Sequence, residues 1–199
     1  EIPLHSLHFQ VFSNQHSFGP IPYNYDFYTW LIAMIVKLSG ANPFTPLQIM
    51  GLFNFVLLAL SLHLFLKEYY SDSQLSLYAL PIMLFFWGKS WDFSSAYDIG
   101  GQTINLTCPS SCAFALSFLA LSYFVKYLRK GTIKNWIGLA ILWPVILLTN
   151  LLPAFFLLGA MMVVFICERK KSLKNVFSFI LLFAVIVLLT SSWPYFSFL

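Results

Sequence analysis

Charge is what this sequence has least of. Only 9% of its 199 residues are Asp, Glu, Lys or Arg, against about 25% in an ordinary soluble domain. So few charged groups cannot cover the surface of a globule this size. That excludes a soluble enzyme, a disordered chain and a nucleic-acid binder. Cysteine is also scarce. Cys108, Cys112 and Cys167 are too few for a disulfide framework, and the C-x3-C spacing is neither a zinc knuckle nor a redox pair. All three are expected to be small apolar packers. No P-loop, G-x-G-x-x-G, H-E-x-x-H or G-x-S-x-G occurs, so the motifs of soluble enzymes are missing. Internal repeats, heptads and low-complexity tracts are missing too. The chain opens on Glu1, with no basic n-region and no cleavage site, and is expected to be a piece of a longer protein.

What is present is apolar. Hydrophobic residues make up 59% and aromatics 19%, and the mean hydropathy is +0.79. The expectation is an all-α integral membrane protein forming one polytopic domain over residues 1–199. About six transmembrane helices would fill 46–194, and residues 1–45 would form an external loop. The six apolar stretches are 46–66, 74–88, 110–127, 136–149, 151–167 and 174–190, where a span needs about 20 residues.

The net charge of +4 says less than where the cations sit. Lys126, Arg129, Lys130 and Lys134 form one basic loop, and Arg169, Lys170, Lys171 and Lys174 form another. The positive-inside rule puts loops 126–134 and 169–174 in the cytoplasm. The chain between them must then cross an even number of times, which predicts a hairpin turning at Asn150 rather than one long span. Outward from these anchors, nine of the 11 Lys and Arg fall inside and only Lys37 and Lys89 outside. In a prokaryote the membrane would be the plasma membrane. Residues 25–38 are apolar, but reach only about 21 Å as a helix. They are expected to lie on the outer leaflet as an interfacial helix. Gly131 sits where a helix C-cap would fall, and His63, within a span, is expected to hydrogen-bond a neighbouring helix.

Acidic residues near hydrocarbon are costly, so their positions inform. Glu1, Asp26, Asp92 and Asp98 fall on the external side with His5, His8 and His16. On a helix Glu1 and His5 would share a face, as would His5 and His8. A carboxylate beside an imidazole can serve as a base or hold a cation; the same residues also suit a plain solvated loop. Asp92 and Asp98, six apart among Ser and Gly, could hold a divalent metal, Mg or Mn, that bridges to phosphate. They could equally belong to a flexible rim loop. Lys89 beside them could meet a phosphate as a point charge. Asn105-Leu-Thr107 is a glycosylation sequon.

Residues 18–40, running Phe18-Gly-Pro-Ile-Pro-Tyr-Asn-Tyr-Asp26-Phe to Gly40, resemble the G-x-P…Y-P-P-L-x-Y-L-L…G stretch of polytopic glycosyltransferases of the GT-C superfamily. The 136–167 hairpin, with Leu148-Thr-Asn-Leu-Leu-Pro153 at its turn, is similar to their G-L-x-x-G-L-x-x-L-T-H-P segment. Ser192-Trp-Pro-Tyr195 is like the P-W-Y that opens their next loop. The loop from Gly88 through Trp91 to Asp98 resembles that of multi-pass relatives. The resemblance implies transfer of a sugar from a polyprenyl-phosphate-linked donor to an acceptor at the external face. In this chain a first span and a C-terminal part would be lacking. It implies Glu1 as general base with His5 beside it, in an E-x-x-x-H setting. Asp26, His8 and Lys89 would then bind substrate, and Asp92 and Asp98 would hold the metal. The partners implied are the bilayer, the donor lipid and an acceptor whose identity stays open. The alternatives are a transporter or lipid-carrier flippase, or a non-catalytic scaffold subunit.

Overall fold

The computed structural model describes residues 26–72, 74–85, 106–168 and 173–192. Among them are seven helices and no strand, as an all-α reading requires. They are α1 (Phe27–Ser39), α2 (Phe44–Tyr70), α3 (Leu75–Phe85), α4 (Pro109–Lys130), α5 (Ile133–Thr149), α6 (Leu151–Cys167) and α7 (Leu173–Ser191).

Local chemistry sets several of the boundaries. Asp26 precedes α1, and its Oδ1 accepts from the Thr29 N–H at 2.6 Å, answering a backbone donor that the first turn leaves unpaired. Pro109 occupies the first turn of α4, where its missing N–H costs nothing. Gly131 ends α4 with φ 64°, its N–H bonded to the Tyr127 carbonyl. Glycine reaches that left-handed conformation without a Cβ clash. Asn150 ends one helix and starts the next. Its N–H closes α5 onto Ile146 at 2.9 Å, and its Oδ1 accepts from the Leu152 N–H at 3.0 Å.

α4 is the axis of the bundle. α2 lies alongside it in the same direction: Asn54 meets the Leu106 carbonyl just before α4, Phe65 meets Phe118, and Arg129 reaches the Tyr69 carbonyl. α5 folds back antiparallel, Gly138 facing the Tyr123 ring. α6 turns again. Phe156 lies 5.2 Å from Phe114 near the start of α4, while Glu168 pairs with Arg129 near its end. The chain therefore makes the hairpin at Asn150 expected from its charges. α7 sets Phe179 among Phe124, Trp143 and Phe165.

The bundle is apolar both inside and out. α4 buries Ser110, Ser111, Cys112, Ala113, Ala115, Ser117, Ala120 and Ser122, small residues that let neighbouring backbones approach. The buried hydroxyls turn inward onto carbonyls. Ser117 bonds Ala113 and Pro153, Thr149 bonds Val145, and Thr190 bonds Ile186. Leu121, Leu139, Ile146, Leu157 and Leu182 fill the core, and further large apolar side chains face out: Leu52 is 65% exposed, Leu77 71%, Phe177 68% and Leu188 70%.

Among the described residues two helices, α2 and α4, are long and apolar enough to cross a membrane. α5 and α6, with 17 residues each, reach about 26 Å. α2 overruns its expected limits of 46–66 at both ends. Lys67 and Glu68 end the apolar run, but both favour helix. Cys112 is buried as expected; Cys167 is exposed, which corrects the packing role given to it. It is the last residue of α6.

Candidate functional site

Of the residues singled out for chemistry, the structure describes Asp26. Glu1, His5, His8, Lys89, Asp92 and Asp98 lie outside the described residues, as does Asn105 of the sequon. Asp26 is half-buried and within Coulombic reach of Tyr28 and Cys112. It stands where the start of α1 meets the start of α4, so a carboxylate sits near the partial positive charge of two helix N-termini.

A buried polar cluster lies beside it. Asn54 comes from the third turn of α2 and is 1% exposed. Its Nδ2 donates to the Tyr28 hydroxyl at 3.1 Å and to the Leu106 carbonyl at 2.9 Å. Three segments far apart in sequence are thereby pinned together. The Asn54 Oδ1 has no hydrogen-bond partner among the described residues, a cost in a dry interior. Burial pushes the Tyr28 phenol well above its usual range, against the opposing effect of the Asn54 bond. Tyr28 is therefore a neutral hydroxyl and not a base. Asn54 and Tyr28 were missed in the sequence. Their signal was an amide interrupting a long apolar run, which is expensive unless it is bonded.

The other end of α4 carries a different cluster. The Arg129 guanidinium donates from Nε to Glu168 Oε1 at 3.0 Å, from Nη2 to the Tyr69 carbonyl at 2.9 Å, and from Nη1 to the Glu68 carbonyl. Nη2 also lies 2.8 Å from Glu168. Glu68 sits between Lys126 at 3.9 Å and Lys130 at 3.6 Å. The two ends of α4 are about 33 Å apart along a 22-residue helix. Between them His63 Nδ1 bonds Ser76 Oγ at 2.6 Å, joining α2 to α3 as expected of a bonded histidine.

Among the described residues no three His, Cys, Asp or Glu converge on a point. The carboxylates expected to hold a metal are outside that set. The described chemistry is thus a capped carboxylate beside a neutral buried phenol and amide at one end, and an arginine-centred ion cluster at the other. No family model matches this chain, and no curated protein or solved structure is similar to it.

Proposed function

We propose that the chain is a multi-pass membrane protein, with α2, the stretch 74–88 that includes α3, and α4 to α7 crossing the bilayer and α1 lying on its outer surface. The observation that carries this reading is the apolar outer surface of the bundle. Leucine, isoleucine and phenylalanine face out on α2, α3, α5, α6 and α7, while Asn54, Ser117, Ser122 and Thr190 are buried among the apolar core. In water such a surface aggregates; against acyl chains it is at rest. Lys126, Arg129, Lys130 and Glu168 meet at one end of α4, and the positive-inside rule makes that end cytoplasmic. Asp26 then belongs to the external face.

At that face the chain acts as a glycosyltransferase of the GT-C type, moving a sugar from a polyprenyl-phosphate-linked donor to an acceptor. Support comes from the resemblance of residues 18–40 and 136–167 and from the location of Asp26 away from the basic end. Catalysis would rest on Glu1 as base beside His5, and on His8, Asp26 and Lys89 toward substrate. Asp92 and Asp98 would hold a divalent metal facing the phosphate leaving group.

The test uses the full-length protein in lipid with a panel of labelled polyprenyl-phosphate sugars. Wild type is compared with Glu1→Gln and Asp98→Asn, with and without chelator. Transfer is expected in wild type and lost in Glu1→Gln. No transfer from any donor, by protein shown to be folded, turns the reading to a transporter or scaffold.

A further inference from the structure

The exposed apolar stripes of two helices end in lysine at the same end of the bundle. On α2, Leu60, Leu64 and Lys67 follow at four- and three-residue spacing, and all three are exposed. That spacing places them on one face. On α5, which runs the opposite way, Ile141, Ile137 and Lys134 form the matching stripe, again all exposed. The acids nearby are engaged elsewhere. Glu168 is held by Arg129, Glu68 is shared by Lys126 and Lys130, and Asp72 accepts from the Gln74 N–H. Neither Lys67 nor Lys134 forms an ion pair with a described residue. At the opposite end, the first turns of α2, α4 and α6 and the last turns of α5 and α7 carry no Lys or Arg, and the one exposed cation described on that side is Lys37 in the last turn of α1.

A lysine at the end of an apolar stripe lays its stem along hydrocarbon and lifts its ammonium into the headgroup layer. Two antiparallel helices doing this at one level mark a plane where apolar surface gives way to unpaired positive charge. Tyr70, exposed at the end of α2, suits the same boundary. We infer that Lys67 and Lys134 hold the headgroups of anionic phospholipids against this end of the bundle. The inference rests on the membrane reading above. It goes beyond that reading by naming the lipid class and the residues that select it.

The test places the full-length protein in nanodiscs of mixed phosphatidylcholine and phosphatidylglycerol and measures the lipid it retains by native mass spectrometry. Phosphatidylglycerol should be enriched by about fivefold for each lysine engaged, and less at high salt. The double variant Lys67→Gln/Lys134→Gln should return to the bulk ratio; the double Lys→Arg variant should keep the enrichment. Equal retention by wild type and the Gln variant overturns the inference. So does complete displacement of the lipid by inorganic phosphate, which would indicate a small-anion site. Flotation of the wild type with neutral phosphatidylcholine vesicles separates the two failures. A chain that floats but shows no enrichment sinks the lipid assignment alone, and a chain that does not float sinks the membrane reading with it.

Discussion

The two ends of α4 solve the same problem with different chemistry. At the C-terminal end one arginine binds three helices together. Its guanidinium satisfies the last carbonyls of α2 and the carboxylate at the end of α6. At the N-terminal end one uncharged amide joins the start of α1, the body of α2 and the lead into α4. The arginine cluster is partly wet; its Arg129 and Glu168 side chains are 33% and 20% exposed. The amide cluster is dry. Charge is tolerated only where water or headgroups can reach it, so the dry junction is built from neutral groups and the wet one from ions.

The comparison breaks most visibly at Arg129. Arg129→Met should destabilise the fold by about 3 kcal/mol, because Glu168 and two helix-end carbonyls lose their donors together. Thermal unfolding in detergent reads this. Arg129→Lys should recover only part of it, since a point charge cannot serve a carboxylate and two carbonyls as a planar fork does.

The dry end sharpens in a double-mutant cycle. Tyr28→Phe should cost about 1 kcal/mol in wild type and close to nothing in an Asn54→Leu background, the difference being the coupling of the pair. Additive effects would show that the 3.1 Å contact carries no energy. Close approach offers a third probe. A Cβ on Gly138 would lie 3.0 Å from the Tyr123 ring, and one on Gly51 would lie 3.0 Å from Thr107 Cγ2. Gly51→Ala and Gly138→Ala should each cost about 1–2 kcal/mol by overpacking, with Gly138→Ala the milder because a tyrosine ring can rotate aside. The smallest effect is expected at Glu68. Its contacts to Lys126 and Lys130 are loose and half-exposed, so Glu68→Gln should change stability by less than about 1 kcal/mol, and less again at high salt.

Much of the architecture was legible because it follows from backbone chemistry and charge. Gly131 marked the end of α4. Asn150 and the two flanking basic loops required a hairpin, and the return of Glu168 to Arg129 is that hairpin closed. The helix limits were harder. A hydropathy window ends where lysine begins, but a helix continues through lysine and glutamate, so α2 runs on to Tyr70. The polar junction was not legible. Asn54 stands among apolar residues with nothing local to show that Tyr28 and Leu106 are its partners, since both lie far off in the chain. Of the candidate site, Asp26 could be placed, and its carboxylate proves to cap its own helix. The other candidates lie in sequence outside the described helices.

The parallel contact of α2 with α4 bears on how the molecule is made. A hairpin partner emerges next in synthesis; a parallel partner does not. α2 has to leave the ribosome and then wait while Ser71 to Cys108 is produced. Only after α4 follows can it pack along α2 and Arg129 close over the end of α2. At about 5–20 residues per second that wait lasts several seconds. Throughout it the face of α2 that packs on α4 is uncovered, so a nascent chain stopped before Pro109 should be a ready target for quality-control proteolysis.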